Sequence, residues 1–361
     1  MKHIAYLCLS HGWGGLEMNQ IRNAKAMQDR GHAVLILGLY NSMVIKEAQQ
    51  LHLPFFIVRK KPSYYNWLLG FELAQLLIQK GYRELIFRNN REMSLAASIS
   101  FFARKKVRVH YFMEMAFGGK KKQWFRTLRY TFFTTWNCPL PYLADQVLEN
   151  ASISLKKIRR IPSGIAFQDH IEIDRLDARQ ELGWPTQGNI IGVVGRIDPK
   201  KRQDFVWEMF AMRPQENEYL VFVGSSTADE APDFEEQLRL KIAAHPKGKN
   251  VIWAGFQNNM VAVYKATDVL IMPAINETFG MATLEAQQAN CPVVGSNNGG
   301  TAALIELYGG GLTFEYDHLE DLSMKINELF KGAFPAVQTD LLKQHFRFER
   351  VCERIENEVL N

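Results

Sequence analysis

Several common signatures are missing from this 361-residue chain. Its four cysteines, Cys8, Cys138, Cys291 and Cys352, are scattered, with no Cys-x-x-Cys pair and no histidine cluster at metal-ligand spacing. Neither a disulfide framework nor a zinc site is indicated, and a reducing cytosol fits. No run approaches the length of apolar sequence that a membrane-spanning helix needs. The opening MKHIAYLCLSHGWGG has too short an apolar core for a signal peptide, and reads as a buried strand entering a glycine loop. The first loop lacks Gly-x-Gly-x-x-Gly, which argues against a dinucleotide oxidoreductase. Asp-x-Asp is also absent, so metal binding through that motif is not expected. No internal repeat or low-complexity stretch interrupts the chain.

Acidic residues are scarce in the first half. Residues 1–165 hold 25 Lys and Arg against 9 Asp and Glu, a net +16, and the remainder holds 18 against 29, a net −11. Much of the basic excess lies in two segments interleaved with aromatics. One is Phe101-Phe102-Ala103-Arg104-Lys105-Lys106-Val107-Arg108, and the other runs from Lys120 through Trp124, Phe125 and Arg126 to Phe133. Such mixtures suit an anionic bilayer surface, where charge and ring insertion both contribute. The alternative is a solvated basic face whose rings point into the core. No recognised nucleic-acid module accompanies the charge, so nucleic acid is not expected as a partner.

Strand-type and helix-type stretches alternate in both halves, as in parallel sheets covered by helices. The first half offers strands at Ile4–Leu9, Ala33–Leu39, Phe55–Val58, Glu84–Phe87, Arg108–Phe112 and Trp136–Pro139, with helices near Leu16–Arg30, Tyr65–Lys80 and from Glu92. A break falls near Arg160–Ile165. The second half offers strands at Asn189–Gly195, Tyr219–Gly224, Val251–Gly255, Val269–Met272 and Val293–Gly295. At this length two domains are the default, and 47% hydrophobic residues can fill two cores.

The most informative window is MPAINETFGMATLEAQQANCPVVGSNNGGTAALI, from Met272 to Ile305. An apolar strand stops at Pro273, and a loop then feeds a helical pattern at Met281. Gly280 allows close approach of the backbone to a ligand, and the unpaired N–H groups near Met281 and Ala282 favour an anion such as a phosphate. Glu285, about a turn inside the helix, is placed to accept bonds from a ribose diol. Asn290 suits a left-handed helix end, and Asn297-Asn298-Gly299-Gly300 forms a second glycine turn. A second feature is Gly195-Arg196 followed by Lys201, two cations five residues apart after a strand. Fixed cations there can stabilise developing negative charge without a metal.

The pattern PxxxETFGxxxLEAxxxxxPVVxxxxGG resembles the donor-site signature of the family 4 retaining glycosyltransferases. The resemblance is strong from about Ile190 to Leu307 and weak before it. It implies the α/β GT-B fold, two Rossmann-like parallel-sheet domains facing each other across a cleft, with a C-terminal helix crossing back to the N-terminal domain. The expected boundaries are 1–163 for the acceptor domain, 164–340 for the nucleotide-sugar domain and 341–361 for the returning helix.

The resemblance also implies roles. Phe279, Gly280, Met281, Glu285 and Gly299 bind the donor, and Glu277 contacts a hydroxyl of its sugar. Arg196 and Lys201 match the family's arginine and lysine beside the diphosphate, leaving Lys200 and Arg202 as surface charges. Gly14, Gly15 and Glu17 resemble the Gly-Gly-x-Glu loop that closes over the donor. The acceptor side matches less well. His110 and Glu114 are candidates there, with His110 equally readable as a core histidine and Glu114 taken as the contact to the reacting sugar. The implied reaction is hexose transfer from a nucleotide-diphosphate sugar, UDP-sugar favoured, to a glycan or lipid-linked acceptor in envelope polysaccharide or lipopolysaccharide synthesis. It proceeds with retention by front-face attack, needs no protein nucleophile, metal or cofactor, and takes place in the cytoplasm at the inner face of the plasma membrane. The rivals are a GT-B epimerase or phosphorylase and a non-catalytic nucleotide-sugar-binding protein.

Overall fold

The computed structural model describes residues 1–59, 66–115, 127–168, 172–226, 232–275 and 277–361. Its central strands are short runs rich in Val, Ile, Leu and aromatics buried on both faces, the sequence character of all-parallel sheets, and the edge strands are more exposed. Two units result, one comprising Met1–Gly164 with His345–Asn361, the other Ile165–Gln344.

In unit 1 the strands are β1 (His3–Cys8), β2 (Ala33–Leu39), β3 (Phe55–Val58), β4 (Glu84–Phe87), β5 (Arg108–Phe112), β6 (Thr135–Asn137) and β7 (Ile158–Arg159). They form one sheet in the order β3-β2-β1-β4-β5-β6-β7, every pair parallel. The helices α1 (Gly15–Asp29), α2 (Met43–Gln50), α3 (Trp67–Gln79) and α4 (Met93–Phe102) provide successive crossovers. Short polar caps start some of these: Ser42 accepts from the Ile45 N–H and Asn66 from the Leu69 N–H.

The C-terminal segment belongs to this unit. Helix Phe348–Arg354 and the turn Ile355–Leu360 bury Val351, Cys352, Ile355, Val359 and Leu360 among Ile4, Tyr6, Ile21 and Ile36. Each such side chain contributes roughly 1.5–3 kcal/mol on full burial. Gly164 admits the returning helix, since a Cβ there would lie 2.8 Å from the Phe348 Cα. Arg108 fastens the end of the chain, donating to Glu84 and to the carbonyls of Leu360 and Asn361.

Unit 2 has β8 (Asn189–Val194), β9 (Glu218–Val223), β10 (Val251–Gly255), β11 (Val269–Met272), β12 (Val293–Ser296) and β13 (Gly311–Phe314), in the order β10-β9-β8-β11-β12-β13, again all parallel. The four cysteines are buried and unbridged. Burial pushes the thiols of Cys138 and Cys291 up to about 12, which marks them as packing residues. No helix among the described residues is long and apolar enough to cross a membrane.

In each sheet the strand order reverses once, between β1 and β4 in unit 1 and between β8 and β11 in unit 2. The loops leaving the carboxyl ends of those strands diverge to opposite sides, which leaves a crevice where ligands of open α/β sheets bind.

Candidate active site

The expected donor residues fall at the reversal point of unit 2. β8 delivers Gly195, Arg196 and Lys201, β11 delivers Glu277 to Met281, and β12 delivers Gly299. The β8 loop is held by backbone geometry. Gly195 and Gly224 have φ of 145° and 126°, and a Cβ on Gly224 would stand 2.1 Å from the Gly195 carbonyl oxygen. Gln203 secures the loop from the helix that follows, its Nε2 donating to the Arg196 carbonyl at 2.7 Å and its Oε1 accepting from the Asp198 N–H. The Arg196 side chain is left 53% exposed, with its guanidinium 4.0 Å from Asp198.

Lys201 reaches across to the β11 loop, its Nζ donating to Glu277 Oε2 at 2.5 Å. Two sequence features separated by 76 residues therefore meet as one ion pair. Arg202 departs from expectation as a surface charge. At φ 55° it pairs with Asp317, donates to the Tyr316 hydroxyl and lies over the Phe205 ring, so it braces the loop.

The β11 loop turns at Gly280, whose φ of 87° is the left-handed region that glycine adopts without strain. Helix Met281–Gln288 follows without a side-chain cap at Gly280. Its first-turn N–H groups carry the partial positive charge of a helix N-terminus. The second glycine turn packs directly beneath. Gly300 N–H donates to the Glu277 carbonyl at 2.6 Å, a Cβ on Gly300 would lie 2.5 Å from the Phe279 carbonyl oxygen, and Thr283 and Thr301 share a hydrogen bond at 3.0 Å. Gly299, at φ 76°, opens that turn. Glu285 is held by Tyr264, whose hydroxyl donates to its Oε2 at 2.8 Å. Burial, and then the Glu285 charge, hold the Tyr264 phenol well above its usual range, so it stays a donor. Tyr264 was not foreseen, because its partner lies 21 residues away and no local motif joins them.

Unit 1 treats its polar groups differently. Gly14 is the N-cap of α1, and its N–H donates to Glu17 Oε2 at 3.0 Å, so Glu17 shapes the glycine turn it follows, beside Gly15. Glu114, just past β5, pairs with the buried Arg88, and its Oε1 also accepts from Ser163 at 2.8 Å. Arg88 in turn donates to Gln20 and stacks over Phe112. A sugar contact from Glu114 would have to come through its other oxygen. His110 is fully buried in mid-strand, with Nε2 2.9 Å from Glu84 and Nδ1 3.0 Å from Thr135. It is a satisfied core histidine, both ring nitrogens being engaged inside the sheet. Of the second basic segment, residues 120–126 lie outside the described residues.

Residues 174–340 match the family described as Glycosyl transferases group 1. This region belongs to that family. All the unit 2 site residues above fall inside it. The D-inositol 3-phosphate glycosyltransferase of Rhodococcus jostii (strain RHA1) is 27% identical over 194 residues, covering 52% of this chain and 42% of that protein. The chain spans less than half the length of the curated relatives it matches. Anabaena Alr3699/HepE, solved in complex with UDP, has a TM-score of 0.84 at 19% identity over 100% of both chains. The lipopolysaccharide outer core galactosyltransferase WaaB, in its apo form, has a TM-score of 0.77 at 16% identity over 100% of this chain and 99% of its own. At these identities the likeness concerns the fold, two parallel-sheet domains of the GT-B type.

Proposed function

We propose that the chain is a retaining glycosyltransferase. It moves a hexose-type sugar from a nucleotide-diphosphate sugar, UDP-sugar favoured, to a glycan or lipid-linked acceptor in envelope polysaccharide or lipopolysaccharide synthesis. The observation that carries this reading is the convergence of Lys201, Glu277 and the uncapped helix Met281–Gln288 at one sheet reversal point within a group 1 region. Alr3699/HepE, whose structures hold UDP and UDP-glucose, supports the choice of uridine.

In this mechanism Glu285, steadied by Tyr264, accepts the ribose hydroxyls. The amides near Gly280 and Met281, with Phe279 and Gly299 shaping the turn, take the phosphates, and Glu277 takes a hydroxyl of the donor sugar. Arg196 and Lys201 meet the charge that grows on the diphosphate as the sugar–phosphate bond breaks. Lys201 is already held at the site by Glu277, so little reorganisation is needed. The acceptor hydroxyl attacks from the face that the diphosphate leaves, and its proton passes to a phosphate oxygen. Positioning thus supplies much of the acceleration. Gly14, Gly15 and Glu17 keep the donor-loop role that the resemblance gives them, and Glu114 is the acceptor-side candidate. No metal or cofactor is assigned, and chelation with EDTA should leave turnover unchanged. The setting is the cytoplasmic face of an anionic membrane, consistent with the basic composition of the first half.

Thermal-shift titration with UDP, GDP, ADP and their sugars tests the donor, since preferential binding raises Tm by mass action. UDP release in the presence of a lipid-linked acceptor, with NMR assignment of the new anomeric centre, tests the reaction. A binding protein would shift Tm yet release no UDP. An epimerase would release UDP and a free sugar, or return an epimerised donor, without an acceptor.

A further inference from the structure

The donor chemistry makes no use of a half-exposed aromatic cluster on α3, α4 and the turn Leu128–Phe132. These elements pack closely, and a Cβ on Gly70 of α3 would stand 2.0 Å from Ser98 Oγ of α4. Trp67 meets Phe101 and Phe102 edge-on, with ring centroids 6.1 and 6.0 Å apart, and Phe101 meets Phe132 at 5.8 Å. The rings satisfy one another but do not leave the surface. Trp67, Phe71 and Phe101 are 48–55% exposed, and beside them Leu68 and Leu128 are 78% and 55% exposed. Among them lies a pocket of about 550 Å³ counting its open mouth, lined by Trp67, Ala97, Phe101, Leu128, Phe132 and Arg129. Contiguous apolar surface of this kind marks an interaction site.

Cations surround it. Arg129 lies in the pocket wall, donating to Ser94 Oγ and the Tyr130 hydroxyl. Immediately after α4 the exposed Arg104 and Lys105 take left-handed φ of 50° and 59°, and Lys106 follows. Two adjacent non-glycine residues in that region are uncommon, and here they end α4 in a basic turn. Lys157 donates to the Tyr130 and Thr131 carbonyls at 3.1 and 2.9 Å. Burial, and next the charge of Lys105, hold its ammonium below the usual lysine range, as expected where positive charge is concentrated. The carboxylates on these elements are Glu72, exposed on α3, and Glu92, buried before α4.

We propose that this face docks on an anionic lipid bilayer, its pocket receiving one hydrocarbon chain and Arg129 with the basic turn holding neighbouring lipid phosphates. Charge complementarity selects this occupant. Rings and leucines ringed by Lys and Arg match the boundary between acyl chains and anionic headgroups. A protein interface core is ordinarily depleted in lysine, and a polyanion without chains would leave Leu68 and Phe71 in water. The inference rests on the membrane setting proposed above and names the surface responsible.

The test is co-sedimentation of the full chain with vesicles of phosphatidylcholine alone or mixed with phosphatidylglycerol. Four proteins are compared: wild type, the double variant Leu68→Ser/Leu128→Ser, the triple variant Arg104→Gln/Lys105→Gln/Lys106→Gln, and Trp67→Phe. Wild type should bind the mixed vesicles, and more weakly as salt rises. The double and triple variants should each lose roughly tenfold in partitioning. Brominated acyl chains should quench a tryptophan signal that Trp67→Phe lacks. The Tm shift with UDP should be the same in all four, which certifies the fold. Undiminished binding by the double variant, or bromine quenching unchanged in Trp67→Phe, would overturn the pocket while leaving membrane association intact. Equal binding to both vesicle types would overturn the role of charge, and no binding to either would remove the membrane setting as well.

Discussion

The carboxyl edges of the two sheets use polar residues in opposite ways. In unit 2, Arg196, Lys201 and Glu277 on the loops and Glu285 in the helix that follows are partly exposed and are held by neighbours such as Gln203 and Tyr264. In unit 1, Arg88, Glu114, Gln20 and Glu17 spend their hydrogen bonds on the unit itself. Similar topologies therefore serve different ends. One edge leaves Arg196 and Lys201 partly exposed on its loops, and the other consumes its charge in building the scaffold.

That contrast can be broken by experiment. Its largest expected effect lies in unit 2, where Lys201→Ala should lower kcat by ~10²–10³-fold, the usual cost of removing a group that stabilises transition-state charge. Arg196→Ala should likewise lower kcat more than it raises the donor KM, and equal losses in the two would refute a transition-state role. Both variants should melt within a few degrees of wild type.

In unit 1 the reverse is expected. Glu114→Ala leaves Arg88 buried without its ion partner, a loss on the order of 3–5 kcal/mol, visible as a lower denaturation midpoint. A Glu114 variant of native stability with abolished turnover would show that its acceptor-side role outweighs its part in the scaffold and erase the contrast.

Glu285→Ala should weaken UDP binding by about one to two orders of magnitude, as loss of charge-assisted hydrogen bonds would. Tyr264→Phe removes one hydrogen bond to that carboxylate and should weaken UDP binding only about fivefold, with kcat nearly unchanged. Calorimetric titration with UDP reads both. An unaltered Kd in Tyr264→Phe would mean that Glu285 needs no support.

The smallest effect concerns acid. Burial holds the His110 imidazolium unfavourable, so its folded pKa lies below the ordinary value. Glu84 is also depressed: burial opposes ionisation, but bonds from His110 and Arg108 outweigh it. Both groups therefore stabilise the fold above their unfolded pKa values and withdraw that support as pH falls. For His110 the loss begins just below pH 6.5, and for Glu84 below about 4.5. A His110→Asn variant should show a flatter Tm profile between neutral pH and about 5 than wild type. A parallel profile would sink the histidine contribution.

Much of unit 2 was legible from residues alone. The strand ending at Pro273, the turn at Gly280 and the helix beginning at Met281 all obey local rules of backbone geometry. Asn290 indeed takes φ 54° at the helix end. The helix Met43–Gln50 and the edge strand Gly311–Phe314 were missed, because segments of eight and four residues offer too few positions for a period to be counted. Arg202 illustrates a different failure. Nothing beside it in the chain announces Asp317, 115 residues away.

The sequence alone determined most of the central buried strands, where the chain turns and which loops carry charge. These follow from side-chain hydrophobicity and the φ preferences of single residues, which act over a few positions. Only the tertiary structure decided which charges meet. Lys201 finds Glu277, Tyr264 finds Glu285, Arg88 finds Glu114, and His110 disappears into the core. A hydrogen bond depends on a separation of about 3 Å, and that separation is set by how the sheet orders its strands.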